Sequence, residues 1–499
     1  MVIDNDVRYR VLQSRDARFD GKFFAAVVTT GVYCRPICSV KTPLRKNVRF
    51  FPCAATAEAA GFRPCKRCRP EAAPGTPAWN GTESSVSRGI RLINAGFLEG
   101  RSIDDLAATL SITARQLRRL FVRHVGVPPK TLDVKRRTHF ASALLSQTSL
   151  SVTAVAYESG FASVRQFNDT FRRSFGVAPS DVRRASAAPG QRRARDPETQ
   201  LRLSYRPPFD WSGLMRFFAA RAIEGIEVVT ETEYRRSFSL GAGETAAGGL
   251  VSITNDAARN AIVVRIGAPP ARLLTIAAKV RAMFDLSADP AMIVEHLRAD
   301  PRIRPLVTLV PGLRIPAFWD SFETAVRAVV GQQISVEAAV RLLGEITRRC
   351  GAPIARPADG RIVRLFPTPA QLAAAKLDDL GMPAVRKRTL KHLAGAWLDA
   401  DAPVGGYPPA DGLPEWIRQI PGIGPWTAQY VALRGFGEPD AFPASDVALR
   451  AAVGRLLGRE GHATPAEVLE LSRKWRPWRG YAAQLLWQSS GSLTRRKAS

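Results

Sequence analysis

The stretch "EWIRQIPGIGPWTAQYVALRGFGEPDAFPASDVALRAAVG", residues 415–454, reads as a helix, a P-G-I-G hairpin, a second helix and a loop ending on Asp446. Gly422 and Gly424 permit a tight turn, which leaves backbone N–H groups at a helix N-terminus, an arrangement that suits one DNA phosphate. Taken alone, G-I-G is a weak signal and often merely a turn. A helix-hairpin-helix followed by a carboxylate twenty residues after Trp426 is much more specific.

Outward from this stretch the pattern changes twice. Beyond about 318 nearly everything carries helical periodicity punctuated by Gly and Pro, whereas 201–310 mixes alternating runs such as "NAIVVRI" with helical ones such as "LLTIAAKVRAMFDL". Two stretches without apolar periodicity read as linkers, "EAAPGTPAWNGTESS" at 71–85 and "ASAAPGQRRARDPETQ" at 185–200. "GAGETAAGG" misses both phosphate-loop spacings and reads as a hairpin loop. At 499 residues several domains are expected, since single cores seldom grow past roughly 250 to 300 residues.

Charge narrows the partner. Seventy-two Lys and Arg against 44 Asp and Glu leave +28, which favours a polyanion, with nucleic acid ahead of an acidic membrane surface. The start "MVIDNDVRYR" lacks the apolar run of a signal peptide, and no segment has the roughly 18 apolar residues of a membrane helix. A cytoplasmic location and no membrane partner are expected, with thiols reduced and a disulfide framework unfavourable.

Between 85 and 195 there are 19 Lys and Arg against 7 Asp and Glu. "SIDDLAATLSITARQLRRLFVRHVGVPP" and "SVTAVAYESGFASVRQFNDTFRRSFGVAPSDVRR" share one plan: a short apolar helix, a tight turn, then a polar helix ending in F-x-R-x-x-G-V-x-P. Two such helix-turn-helix units would present Thr113, Arg115, Gln116 and Arg119, then Ser163, Arg165, Gln166 and Asn168, to a major groove. For any single Arg a solvated helix face explains as much; for two matching units it does not.

Five of six cysteines precede residue 70, and Cys34, Cys38, Cys65 and Cys68 form a C-x3-C…C-x2-C set able to hold one tetrahedral Zn(II). Spacing alone favours a structural knuckle. Cys53 lies outside both pairs, and Cys350 reads as a buried small apolar residue. The five His form no ligand spacing, and Asp378 and Asp379 in "KLDDL" read as a solvated helix face.

Three resemblances sharpen these readings. "FAAVVTTGVYCRPICSVKTPLRKNVRFF…AAGFRPCKRCRPE" resembles the N-terminal domain of the Ada DNA-methylation response family. That resemblance implies one zinc per chain, with Cys34 taking a methyl group from a DNA phosphotriester and Cys38, Cys65 and Cys68 as co-ligands. A zinc-held thiolate stays nucleophilic, and methylation would take the centre from −2 to −1, weakening its repulsion of DNA. It also implies backbone contacts at Thr30, Lys41 and Arg63, while Ser39 stands where a basic residue is found in that family. The double unit resembles the AraC-type DNA-binding domain.

Residues 201–490 resemble the AlkA-type 3-methyladenine glycosylases of the HhH-GPD superfamily, through "YRPPFDWSGLMRFFAARAIEGIE", "FETAVRAVVGQQIS", the hairpin and "RKWRPWRGYAAQLLW". By that resemblance Asp446 is the catalytic carboxylate, Trp426, Tyr430 and Trp487 line the base pocket, and Gln332, Gln333, Gly422 and Gly424 meet DNA. Gln333 stands where an apolar wedge is found. Trp426 occupies the hairpin position of the Lys of bifunctional members, which implies base release without strand cleavage. No iron–sulfur cluster and no nucleotide cofactor are expected, nor is a C-terminal O6-alkylguanine transferase, since no P-C-H-R element occurs.

The expected fold is multidomain: a small α/β zinc domain (1–73), an all-α double helix-turn-helix domain (86–184), a linker (185–200), an α+β N-terminal glycosylase subdomain (201–312) and an all-α HhH-GPD core (313–493). The expected function is excision of alkylated purines, methyl acceptance at Cys34 and regulation of transcription. Partners would be alkylated and promoter duplex DNA and RNA polymerase, bound by a nucleoid-associated bacterial monomer. The alternative is a DNA-binding regulator with a structural zinc site and a non-catalytic glycosylase-like domain.

Overall fold

A computed structural model describes residues 4–65, 67–68, 70, 84–186, 199–240, 247–267, 272–354, 360–399 and 415–496. Most of both proposed linkers and the start of the Gly-rich 241–249 segment lie outside these residues. The chain forms two compact units, 1–207 with 250–281 and 286–288, and 208–249 with 282–285 and 289–499.

The first unit begins with a four-stranded sheet, β1 (Phe24–Val27), β2 (Val32–Cys34), β3 (Val48–Phe51) and β4 (Arg63–Pro64), in the order β3-β1-β2-β4. β1 runs antiparallel to β2 and β3, whereas β2 and β4 are parallel, with Tyr33 opposite Pro64. That parallel pair decides the position of the cysteines. Cys34 follows Tyr33 and Cys65 follows Pro64, so the two halves of the thiol set emerge side by side, secured by Cys65 N–H donating to the Tyr33 carbonyl (3.0 Å).

The two helix-turn-helix units repeat in detail. Helices Ile103–Thr109 and Ala114–Val125 form the first, Val152–Glu158 and Val164–Phe175 the second, with the long helix Pro129–Gln147 between them. Ser102, Thr113, Ser151 and Ser163 cap the four N-termini through their hydroxyls. Gly126 and Gly176 close the second helix of each unit at φ 86° and 70°, where a side chain would strain the backbone. Leu106, Leu117 and Phe121 fill one core and Val155, Phe167 and Phe171 the other, all fully buried. Later in the chain, β5 (Thr199–Ser204), then β6 (Glu227–Val229), β7 (Glu233–Leu240), β8 (Ala247–Asp256) and β9 (Ala261–Gly267) supply the mixed region. Within the first unit β9 pairs antiparallel with β5 and with β8 from residue 250.

In the second unit β6 and β7 form a hairpin, and the rest is helical, as the periodicity beyond 318 implied. Helix Ser321–Val330 is buried from Phe322 to Val330 and packs against helices Pro425–Gly435 and Ala384–Asp399. Its two charges are paired: Glu323 and Arg327 meet Arg236 and Glu227 of the hairpin in a buried four-residue network. Removing one member would strand a charge in the core, a loss of about 3–5 kcal/mol.

Two expectations need correction. Asp378 and Asp379 are exposed but sit in a turn, because helix Pro369–Ala374 ends at Ala375, whose ψ of 143° leaves the helical region. Cys350 is half-buried rather than buried, since it closes helix Val336–Cys350. Among the described residues no helix is long and apolar enough to cross a membrane.

Candidate active site and metal centre

Helix Pro425–Gly435 carries the aromatic face of the candidate site. Gly424 is its N-cap and Pro425 opens the first turn, where a missing N–H costs nothing. Gly422 has φ 90°, and a Cβ there would fall 2.0 Å from Thr389 Oγ1, so the hairpin requires glycine. Trp426 and Tyr430, four residues apart, share a face and stack with centroids 5.2 Å apart and planes at 21°. Trp487, from helix Arg479–Arg496, closes the group with its ring centroid 6.4 Å from Tyr430 and planes at 63°.

Asp446 is the N-cap of helix Val447–Leu456, and Leu449 N–H donates to its Oδ1 (3.0 Å). The Trp426 indole N–H donates to Oδ2 (2.8 Å) and the Trp487 indole N–H to Oδ1 (3.0 Å). The aromatic walls therefore also fix the carboxylate. These residues line a cavity of about 2100 Å³, together with Gly422, Gly424, Gln332 and Gln333.

Adjacent in sequence, the two glutamines are used differently. The Gln332 side-chain amide donates to the Gly422 carbonyl (3.0 Å) and Thr427 Oγ1 (2.9 Å), and its own carbonyl accepts from Arg386 (2.5 Å). Gln333 is exposed at φ 56°, a conformation costing of order 1–3 kcal/mol for a non-glycine residue, and its neighbour's bonds hold it there.

Sequence reasoning missed Arg434. It lies one further turn along the Trp426–Tyr430 face, with its guanidinium 5.0 Å from the Trp487 centroid and 5.8 Å from that of Tyr430. It donates to the Pro316 carbonyl (2.8 Å) and Gln484 Oε1 (2.6 Å), and burial lowers its pKa to about 10. The i, i+4, i+8 spacing of Trp426, Tyr430 and Arg434 was the available signal.

In the first unit the sulfurs of Cys34, Cys38, Cys65 and Cys68 all lie within 4.8 Å of one another. Cys34, Cys38 and Cys65 are 6%, 4% and 9% exposed, and Cys68 is half-buried. At this spacing the thiols contend for protons: hydrogen bonding with Cys38, Cys65 and Cys68 pushes Cys34 up, and contacts led by Cys34 pull Cys65 down. Four soft donors converging on one point fit a tetrahedral zinc ion, and this chain holds one zinc there.

Arg35, unremarked in the sequence, braces the set. Its N–H donates to Cys68 Sγ (3.4 Å), one guanidinium nitrogen donates to the Cys68 carbonyl (3.2 Å), and the guanidinium pairs with buried Asp20. Cys53 stands apart as the N-cap of helix Ala54–Ala59, and burial raises its pKa.

Thr30, Lys41 and Arg63 are exposed, and Arg63 lies against Gly176 at the end of helix Val164–Phe175. Arg115, Gln116, Arg119, Arg165 and Gln166 are exposed, while Asn168 is half-buried. Thr113 and Ser163 are exposed too, and each hydroxyl accepts a backbone N–H as a helix cap. A second missed feature joins zinc head to reader: Glu58 accepts from Tyr33 Oη (2.8 Å), contacts His139 Nε2 (2.8 Å) and pairs with Lys135. Lys135 in turn donates to Ser174 (3.0 Å) of helix Val164–Phe175, in the same compact unit.

Known families cover nearly all of this arrangement. The metal binding domain of Ada matches residues 7–71, a helix-turn-helix domain 106–185, the AlkA N-terminal domain 200–320 and the HhH-GPD superfamily of base excision DNA repair proteins 326–477. A "probable bifunctional transcriptional activator/DNA repair enzyme AlkA" of Mycobacterium tuberculosis is 42% identical over 96% of this chain and 95% of its own length. The DNA-3-methyladenine glycosylase 2 of Escherichia coli K12 is 34% identical over 58% of this chain and 97% of its own. The 3-methyladenine DNA-glycosylase structure from Archaeoglobus fulgidus shares the fold at TM-score 0.50 and 21% identity, over 58% of this chain and 98% of its own. The chain belongs to the family of the mycobacterial protein, in which an Ada-type zinc and helix-turn-helix region is fused to an AlkA-type glycosylase of the HhH-GPD superfamily.

Proposed function

We propose that this protein excises alkylated purines such as 3-methyladenine from DNA by monofunctional N-glycosidic hydrolysis, and that its N-terminal half senses DNA methylation and regulates transcription. The observation that carries the first part is Asp446, oriented by two indole N–H groups and a backbone N–H beside a stacking platform in a large cavity. An N-alkylated purine is electron-poor and leaves as a neutral base, and Trp426, Tyr430 and Trp487 would hold the flipped base by stacking and cation–π attraction.

As the C1′–N bond breaks, positive charge develops on the sugar, and the Asp446 carboxylate would stabilise it and align the attacking water, as carboxylates do in other glycoside hydrolyses. Water adds to C1′ and loses a proton, leaving an abasic site in an uncut strand. Trp426 at the hairpin supplies no amine for covalent attack on the sugar.

At the zinc head, Cys34 is the proposed methyl acceptor. Bound zinc would keep the four sulfurs deprotonated at neutral pH. The Cys34 sulfur attacks the methyl carbon of a phosphotriester, an S–C bond forms, the C–O bond breaks and a phosphodiester anion leaves. Thr30, Lys41 and Arg63 would contact the DNA backbone, and Arg115, Gln116, Arg119, Arg165, Gln166 and Asn168 would read promoter bases. Recruitment of RNA polymerase, a monomeric state and a nucleoid location complete the reading, with domain limits at 1–73, 86–184, 201–312 and 313–493.

The test incubates purified protein with methylated duplex DNA and identifies freed bases by chromatography and adducts by mass spectrometry. Release of 3-methyladenine with intact strands, and one methyl on Cys34, are expected. Absence of base release would overturn the glycosylase assignment, and zinc-loaded Cys34 left unmodified by verified phosphotriester DNA would overturn the acceptor.

A further inference from the structure

Helix Leu273–Met283 lies, by sequence, in the AlkA-type N-terminal domain, yet its first turns are bonded to the helix-turn-helix region within one compact unit. Glu158, the last residue of helix Val152–Glu158, accepts the Leu273 backbone N–H through Oε2 (2.8 Å). A carboxylate there complements the N-terminal end of the helix dipole, and burial raises the Glu158 pKa. Two residues on, Gly160 faces Leu274: a Cβ on that glycine would stand 3.5 Å from Leu274 Cδ2. Leu273 is fully buried and Leu274 is 5% exposed.

Two further bonds cross the contact, and others brace the face that receives it. Thr275 Oγ1 donates to Glu99 Oε2 (3.0 Å), and Glu99 Oε1 pairs with Arg136 (3.2 Å), which also meets buried Asp133 (3.2 Å). Arg137 holds the two loops of this face together, donating to the Gly160 carbonyl (2.6 Å) and the Leu98 carbonyl (2.8 Å). Gln147 at the end of the long central helix accepts the Arg202 N–H of β5 (2.8 Å), capping a donor on the strand edge away from β9. The exposed side chains proposed to read DNA, Arg115, Gln116, Arg119, Arg165 and Gln166, take no part in these bonds.

We propose that the helix-turn-helix domain docks on the glycosylase's N-terminal segment through helix Leu273–Met283 and β5, so that reader and repair domain stay associated without the peptide between them. The charge-to-backbone bond at Glu158, the Leu274–Gly160 packing and the Glu99–Thr275 bond hold it, and the recognition surfaces remain free to bind DNA while docked.

A site for a specific protease, inserted between Gln191 and Arg192 of the full chain, allows the link to be cut after folding. The cut halves are expected to leave a sizing column together at micromolar concentration. Glu158→Lys and Leu274→Asp, one on each side of the contact, are each expected to weaken the association at least about tenfold and separate the halves. Base release and zinc content are measured on the same samples, and Thr275→Val replaces Leu274→Asp if the latter loses base release. Separation of the unsubstituted halves would overturn the proposal, as would co-elution of either folded variant at wild-type strength.

Discussion

Cys34 and Asp446 are both surrounded by donors, yet one is enclosed and the other opens on a cavity. The Cys34 sulfur lies within 4.8 Å of three others and the residue is 6% exposed, whereas Asp446 is half-buried at the wall of an approximately 2100 Å³ space. The contrast matches the chemistry proposed for each. A carboxylate that turns over must admit a base and a water on every cycle and release the base, while an acceptor that reacts once keeps the methyl group it takes and need not be reopened. On the proposed reading, surrounding a reactive group with donors serves two ends: the indoles aim Asp446, and the thiol cluster would keep sulfur as a metal-held anion.

The largest expected effect tests the independence of the two sites. Asp446→Asn should lower single-turnover base release by about 10³-fold or more, with duplex binding little changed. Methyl uptake by Cys34 should be untouched. Cys34→Ser should abolish methyl uptake and leave base release at wild-type rate. Loss of both activities in either variant would break the separation of the two sites.

Acid titration should divide the regions in opposite directions. Burial would raise the Glu58 pKa, but His139 and Lys135 outweigh it and hold the carboxyl at about 2. Its folded value is below the unfolded one, so its contribution is full above about pH 4.5 and lost as pH falls toward 2. Asp285, in the second unit, is pushed up to about 6 by burial, against the opposing pull of Arg314, Tyr481 and the Ile315 N–H. Its folded value is above the unfolded one, so its contribution is present below about pH 4 and lost as pH rises through 6. Glu58→Gln should therefore flatten the acid limb of the stability curve and Asp285→Asn the limb between pH 4 and 6. Each change is of order 3 kcal/mol at most, read from unfolding midpoints against pH. A Glu58→Gln curve parallel to wild type below pH 4.5 would remove Glu58 as the joint between zinc head and reader.

What was legible in the sequence was local. The cysteine pairs, the repeated helix-turn-helix plan and the hairpin-to-Asp446 spacing are each written within a few dozen residues, because periodicity, caps and tight turns are short-range signals. The parallel pairing that brings Cys34 beside Cys65, the Glu58 contacts with Lys135 and His139, and the placing of Arg35 against Cys68 depend on which distant segments meet. Periodicity within a segment does not name its partner. In "GQQIS" the resemblance set Gln333 apart as the wedge position, but the left-handed backbone at Gln333 and the anchoring of Gln332 to the hairpin come from tertiary contacts that the run does not encode.

The smallest effect dissects how the aromatic walls act on Asp446. Phenylalanine keeps a stacking face but lacks the indole N–H, so Trp→Phe separates orientation of the carboxylate from binding of the base. A hydrogen bond to a charged group contributes about 1.5–3 kcal/mol, or roughly ten- to a hundredfold in rate if expressed in the transition state. Oδ1 receives both Trp487 and the Leu449 N–H, whereas Oδ2 receives Trp426. Trp426→Phe should therefore fall in the upper part of that range and Trp487→Phe near its lower end. In both, the loss should appear in the single-turnover rate at saturating enzyme rather than in lesion affinity. If affinity falls and the saturated rate holds, the indoles act only as stacking walls, and Asp446 is oriented by its helix cap alone.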